Sequence, residues 1–193
     1  MLTRADLWSL EAYAQQRASF RVQAMARKRL RTVPVGDHLT LLFEDEMTVR
    51  YQVQEMLRIE RIFEPQAIQD ELDAYNPLIP DGHNWKATLL IEYADVAERV
   101  ARLRALLGVE KRVGLRVDGF SAMYPVADED MIRASAEKTS AVHFLRYEVP
   151  LDQRHALREG ALLAVGVDHA AYAEPWSWLT ESQRLALLQD LHD

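Results

Sequence analysis

At 193 residues and 22.2 kDa, with 49% hydrophobic and 27% charged residues, the chain has the size of one compact domain able to enclose a core, and its balance argues against a disordered or fibrous protein. A net charge of -7 and a pI near 5.4 oppose the basic footprint of a general nucleic-acid binder, and no apolar run approaches the roughly 20 residues a bilayer requires. The absence of cysteine removes disulfides, thiolate nucleophiles and cysteine-ligated zinc or iron–sulfur centres from the chain itself.

Met1-Leu2-Thr3-Arg4-Ala5-Asp6 places an acid early and lacks the basic-then-apolar order of a secretory signal, so a cytoplasmic location is expected. Thr3 can cap a helix starting near Arg4, and helical spacing continues in one or two pieces to about Leu30. Near its end lie Arg27, Lys28, Arg29 and Arg31; these cations suit either an acidic or phosphate-bearing partner or, more simply, the negative end of the helix dipole. Leu39, Leu41 and Phe43 alternate with Thr40, Leu42 and Glu44, the mark of a strand after the Gly36-Asp37 turn.

A helix is expected from about Thr48 to Ile62, with Val49, Val53, Met56 and Phe63 as its apolar stripe. Pro65 suits the first turn of the next helix, whose buried face is Ile68, Leu72 and Tyr75 and whose end falls at Asn76 before Pro77. Ala87, Leu89, Ile91 and Tyr93 form one face of a strand; Asp95 and Glu98 then have capping-box-like spacing for a helix carrying Val96, Val100, Leu103 and Leu107, stopped by Gly108. Val113, Leu115 and Val117 precede Asp118-Gly119, a hairpin signal that makes Phe120 to Tyr124 the returning strand. The charged stretch from Ala127 to Ser140 reads as the most mobile loop. Val142 to Val149 and Leu162 to Val167 read as strands, Asp152 to Glu159 as a short helix, and Thr180 with Gln183 as the cap of a last helix.

Strands outnumber clear βαβ units, which predicts a single α+β domain over residues 1–193: a largely antiparallel sheet of about five to seven strands covered by helices on one side. The segments Leu39–Glu44, Thr48–Ile62, Glu71–Pro80, Ala87–Glu92 and Ser140–Arg146, taken in this order, resemble the bacterial domain-of-unknown-function family 3501 over nearly the whole chain. The resemblance supplies no reaction and no catalytic residue. It implies a gene encoded beside those of rubrerythrin-like and iron–sulfur proteins, and so a link to redox or peroxide metabolism.

Two constellations invite a functional reading. On the 48–62 helix, Tyr51, Gln54, Glu55 and Arg58 fall on neighbouring rows and precede the loop Tyr75-Asn76-Pro77-Leu78-Ile79-Pro80; Arg58 can bind a carboxylate or phosphate with Glu55 steering it or acting as base. The plainer alternative is that Glu55 and Arg58 pair as a structural tether. His143 falls on the strand face shared with Leu145, Tyr147 and Val149, opposite Val142, Phe144, Arg146 and Glu148; such a histidine is either a ligand or a core residue with its ring satisfied. His83, near Trp85, decorates a turn or lines a pocket, while Asp152 with His155 and Asp168 with His169 resemble metal pairs only in isolation.

The chain has no Gly-rich phosphate loop, no G-x-S-x-G, no H-E-x-x-H and no E-x-x-H pair, so no metal and no cofactor is expected. Two readings follow. One is a non-catalytic accessory or regulatory protein that binds a protein partner, conceivably a redox protein, and a small anionic metabolite, with neither nucleic acid nor membrane as a target and self-association open; Tyr172, Trp176 and Trp178 supply an aromatic tail for an interface or for capping the core. The other is a cofactor-independent acid/base enzyme with a pocket around Glu55, Arg58, Asn76 and His143.

Overall fold

The computed structural model describes residues 1–129 and 138–192; the stretch 130–137, inside the charged Ala127–Ser140 loop expected to be mobile, lies outside the described residues. The amino-terminal helical pattern comes in two pieces. Asp6 accepts the Thr3 N–H at 2.7 Å and closes a single 3-10 turn over Arg4–Asp6, after which Ser9 caps α1 (Leu10–Leu30) by accepting the Ala12 N–H at 3.2 Å. Helix α2 spans Glu46–Glu60, two residues earlier than its apolar pattern suggests, because Asp45 and Thr48 exchange side chain-to-backbone hydrogen bonds at 2.9 Å in both directions. It ends where Arg61 turns left-handed at φ 55, which throws Phe63 outward; the buried stripe is Val49, Val53 and Leu57 rather than one running through Met56 to Phe63. Pro65 opens α3 (Pro65–Tyr75) as expected, and a 3-10 turn over Asn76–Leu78 follows.

Among the described residues, eight strands form two antiparallel sheets rather than one. The larger has the order β1-β2-β3-β6-β5, built from β1 (Thr32–Val35), β2 (Leu39–Phe43), β3 (Asn84–Ile91), β5 (Val126–Ala127) and β6 (Val142–Glu148). Strand β1 was not foreseen: it is short and carries Pro34, which a sheet tolerates at an edge because no ladder needs its missing N–H. The smaller sheet has the order β4-β7-β8, from β4 (Val113–Val117), β7 (Leu163–His169) and β8 (Tyr172–Trp178). The Asp118-Gly119 turn does reverse the chain, with Gly119 at φ 82, but the returning segment makes one isolated bridge, Met123 to Leu115. The true strand partner of β4 is β7, which offers five paired positions against that single bridge. The aromatic tail is likewise a strand, β8, paired with β7.

Alternation sorts the strands into faces, and the two inner faces share one core. Leu39, Leu41, Phe43, Leu89, Ile91, Leu145 and Tyr147 from the larger sheet meet Val113, Leu115, Val117, Leu163, Val165 and Val167 from the smaller. Tyr147 donates its hydroxyl to Val113 O at 2.9 Å, so even the polar atom in this layer is satisfied across the sheets. Helices α4 (Val96–Ala105), α5 (Leu151–Arg158) and α6 (Glu181–Leu188) add Leu103, Leu157 and Leu187 to this core, and Trp85 donates its indole N–H to Leu187 O at 2.9 Å. In α4 the buried positions are Leu103 and, just past the helix, Leu106; Val96, Val100 and Leu107 are exposed. The smaller sheet therefore covers one face of the larger one. The other face looks toward α2 and α3, whose own cores join Val49, Val53, Leu57 and Leu72 to Leu2, and Tyr51 to Tyr13 and Phe20 of α1.

Candidate functional site

The residues singled out from the sequence are placed apart. Gln54 is fully buried and holds the backbone of Trp8, accepting its N–H at 2.7 Å and donating to its carbonyl at 3.4 Å. Asn76 does the same to Leu2, at 2.8 and 2.9 Å. Each carboxamide imitates a peptide group and so supplies the amino-terminal segment with hydrogen bonds that neither helix nor strand gives it. Tyr51 packs into the aromatic cluster with Phe20 at a centroid distance of 5.9 Å.

Glu55 pairs with Arg58 through Nη2 at 3.1 Å, as its spacing suggests, yet its stronger contacts come from α1: Arg17 forks onto both carboxylate oxygens at 2.8 and 2.9 Å, and Tyr13 donates at 2.7 Å. The Arg17 hydrogen bonds, aided by Arg58 and Tyr13 and opposed by burial, hold the Glu55 carboxyl down to about 2. Burial and then the Glu55 contact push the Tyr13 hydroxyl upward. A carboxylate held so firmly ionised by two guanidinium groups is a poor general base.

His143 lies on the opposite side of the sheet, among the inner-face residues, and is fully buried. Its Nδ1 sits 2.5 Å from Asp128 Oδ2, and its Nε2 sits 2.7 Å from Thr139 Oγ1 and 3.1 Å from Ser140 O; Thr139 in turn donates to Glu110 Oε2 at 3.3 Å. The order carboxylate, imidazole, hydroxyl has the outline of a nucleophile triad, but Thr139 is itself buried, as the histidine is. The expected shared pocket of Glu55, Arg58, Asn76 and His143 is not formed, since the five-stranded sheet separates the histidine from the helices. Among the described residues, no group of three or more histidine, aspartate and glutamate side chains is placed to hold a metal ion.

The basic cluster also divides. Arg31 is buried and binds Phe43 O at 3.0 Å, Ala186 O at 2.8 Å, Glu44 O at 2.9 Å and the Asp190 carboxylate, while Arg27 binds Asp45 at 2.5 Å. These two arginines lock α1, β2, the start of α2 and the end of α6 together, and so are not a solvated helix end.

A cleft of about 290 Å³ lies between the outer face of the larger sheet and the end of α3. Its floor is set by register. Lys86 on β3 stands directly opposite Arg146 on β6, and the next pair along is Thr88 with Phe144. Two cations directly opposed in a sheet repel, and the surroundings compensate: Glu129 forks onto Arg146 at 2.6 and 2.7 Å, Glu148 binds it as well, and Lys86 donates to Pro77 O at 2.8 Å. The walls are mainly apolar, from Ala74, Pro77, Leu78 and Phe144. Leu78 and Phe144 also border a second cavity of about 250 Å³, reaching under α2 to Val49 and Gln52. Neither cavity is lined by Tyr51, Gln54, Glu55, Arg58, Asn76 or His143. The signal that could have found the cleft is the mixed outer face of β6, where Phe144 and Arg146 alternate with Leu145 and Tyr147.

The model of a family described as a protein of unknown function, DUF3501, matches residues 1–191. The chain belongs to this family. Among solved structures, the DUF3501 fold seen here is similar to the crystal structure of a novel protein of unknown function from Burkholderia pseudomallei, at 50% sequence identity and a TM-score of 0.94, with 99% of each chain covered. A comparison with proteins of curated function finds no match. Membership in DUF3501 thus fixes the fold and leaves the chemistry to be argued from the residues. Among the described residues of this DUF3501 protein, no helix is long and apolar enough to cross a membrane.

Proposed function

We propose that the protein is a non-catalytic accessory or regulatory protein that takes a small, largely apolar molecule with an anionic head group into the cleft beneath α3 and presents the result to a protein partner. The supporting observation is the pairing of Lys86 with Arg146 in a cleft whose other lining is Asp73, Glu129 and the apolar Ala74, Pro77, Leu78, Phe144 and Leu145. Arg146 already has two carboxylates, whereas Lys86 uses one of its three N–H donors on Pro77 O; the remaining two suit a carboxylate oxygen. Among the described residues that line the cleft none is arranged as a nucleophile, which favours binding over turnover. A redox protein as the partner, and through it a role in redox or peroxide metabolism, extends this reading on the family resemblance alone.

Isothermal titration with decanoate and with decanol tests the proposal. Decanoate is expected to bind at least about tenfold more tightly than decanol, and Lys86→Met should erase the difference, since a hydrogen bond to a charged group is worth roughly 1.5–3 kcal/mol. Equal affinity for the two probes, or binding of neither, would overturn it.

A further inference from the structure

The outer face of the smaller sheet is built from small residues roofed by aromatic ones. Its central strand β7 turns the small residues Ala164 and Gly166 outward, with Asp168 exposed at the far end of the same face. In β4, Gly114 stands opposite Gly166 and Arg116 opposite Ala164; in β8, Trp178 stands opposite Ala164 from the other side. Two rows therefore cross the sheet, one of glycines and one running Arg116, Ala164, Trp178.

The glycine row is roofed by Trp176. A Cβ on Gly114 would lie 2.9 Å from Trp176 Cη2, and one on Gly166 3.0 Å from Trp176 Cδ2, so the indole lies flat across two strands in space that no side chain could share. Arg116 then stacks 4.7 Å over Trp176 and 5.7 Å over Trp178. The roofing alone explains Trp176. It leaves Trp178 45% and Tyr124 43% exposed, on the same side of the sheet as a guanidinium that is held in place.

That guanidinium is held by rings rather than by a carboxylate. Arg17, Arg31, Arg146 and Arg184 are each hydrogen-bonded to a carboxylate, whereas Arg116, like Arg50 over Trp8 and Phe20, makes no hydrogen bond among the described residues. Its donors form a planar fork already immobilised by two indoles, so capturing a carboxylate would cost little side-chain entropy. Trp, Tyr and Arg are the residues that carry most of the energy in protein interfaces.

We propose that this face docks a segment of a partner protein in which an aspartate or glutamate lies beside an apolar residue, the carboxylate seated on Arg116 and the apolar group on Trp178. The proposal rests on the partner clause of the function proposed above and assigns it a surface separate from the ligand cleft. Charge complementarity selects the occupant. The chain carries -7 overall, which disfavours a second copy and any nucleic acid, while a local cation on an aromatic floor accepts a local acid.

The test is a random-peptide display selection against the full chain, followed by titration of one enriched, synthesised peptide through tryptophan fluorescence. Enriched peptides are expected to share an acidic residue next to an apolar one. Changing that acid to its amide, or Arg116→Gln in the protein, should each weaken binding about tenfold or more, while the variant's melting temperature and its decanoate affinity stay unchanged. The amide peptide keeps the test decisive even if the protein variant folds poorly. Selection of peptides without a common acid, or binding indifferent to both changes, overturns the proposal. So does a dimer in sedimentation that Trp178→Glu dissolves, because a second copy would then cover the face. Decanoate binding measured alongside separates failure of this surface from failure of the cleft.

Discussion

Glu55 on α2 is held chiefly by Arg17 on α1, 38 residues earlier, and only secondarily by Arg58, the neighbour that helical spacing offers. The fork from Arg17 uses both carboxylate oxygens at 2.8 and 2.9 Å, while the Arg58 contacts are longer, at 3.1 and 3.4 Å. Arg17→Ala is therefore expected to lower the melting temperature more than Arg58→Ala, because only the Arg17 contact is a short bidentate fork that also ties α1 to α2. Equal effects from the two substitutions in a thermal melt would show that the spacing-based pair is the dominant one.

The same carboxylate sets an acid limit. Its folded pKa of about 2 lies below the ordinary 4.5, so the folded state is favoured above 4.5 and loses that advantage as pH falls through 2. Glu55→Gln should flatten the decline of stability between those two values in urea titrations at successive pH, and an unchanged slope would contradict the assignment.

At Asp190 the sign reverses. Burial pushes its carboxyl up to about 6 against the pull of Arg31, so its proton stabilises the folded chain at low pH and that contribution is lost as pH rises from about 4 through 6. Asp190→Asn is expected to remove this loss across the window, whatever its effect on absolute stability. Arg31→Met should be far more damaging, about 3–5 kcal/mol in denaturant unfolding, because it leaves the Asp190 carboxylate and three backbone carbonyls without their shared donor and removes one of the two cations beside Asp45. Arg31→Lys should recover less than half of it, since an ammonium cannot span the fork.

Gln54 and Asn76 predict a local rather than a global effect. Replacing either with alanine removes two backbone hydrogen bonds to Trp8 or to Leu2, about 1–2 kcal/mol in all. Hydrogen exchange should show the Leu2 amide losing protection in Asn76→Ala and the Trp8 amide in Gln54→Ala. Protection lost throughout α2 in either variant would mean the carboxamides carry the helix rather than the segment.

Gly114→Val is expected to cost about 1–3 kcal/mol by forcing Trp176 and Tyr124 off the sheet, with a red shift in tryptophan emission. Combining it with Trp176→Ala should return part of that loss. A double variant no better than the single one would show that strand β4 itself, rather than the indole, is intolerant of the side chain.

The element boundaries were largely legible because caps and alternation are local: Asp95, Thr180 and Pro65 each start a helix through atoms within one turn, and Ala87, Leu89 and Ile91 declare a face by period alone. Family membership and the α+β class were legible for the same reason, being sums of local patterns over the whole chain. His143 was placed correctly on the inner face by alternation, but the contacts that satisfy its ring come from Asp128 and Thr139, which no period connects to it. Pairing was the part only the tertiary structure decided. The sequence offered Phe120–Tyr124 to β4 and Arg58 to Glu55, because each lies nearby; the folded chain took β7, which gives a longer ladder, and Arg17, whose two hydrogen bonds are shorter, once distant segments are brought together. The cleft at Lys86 and Arg146 and the stacked Arg116 belong to the same class, since each joins residues on strands distant in sequence that meet only within an assembled sheet, and burial of the core the two sheets share, not any local preference, is what holds those strands there.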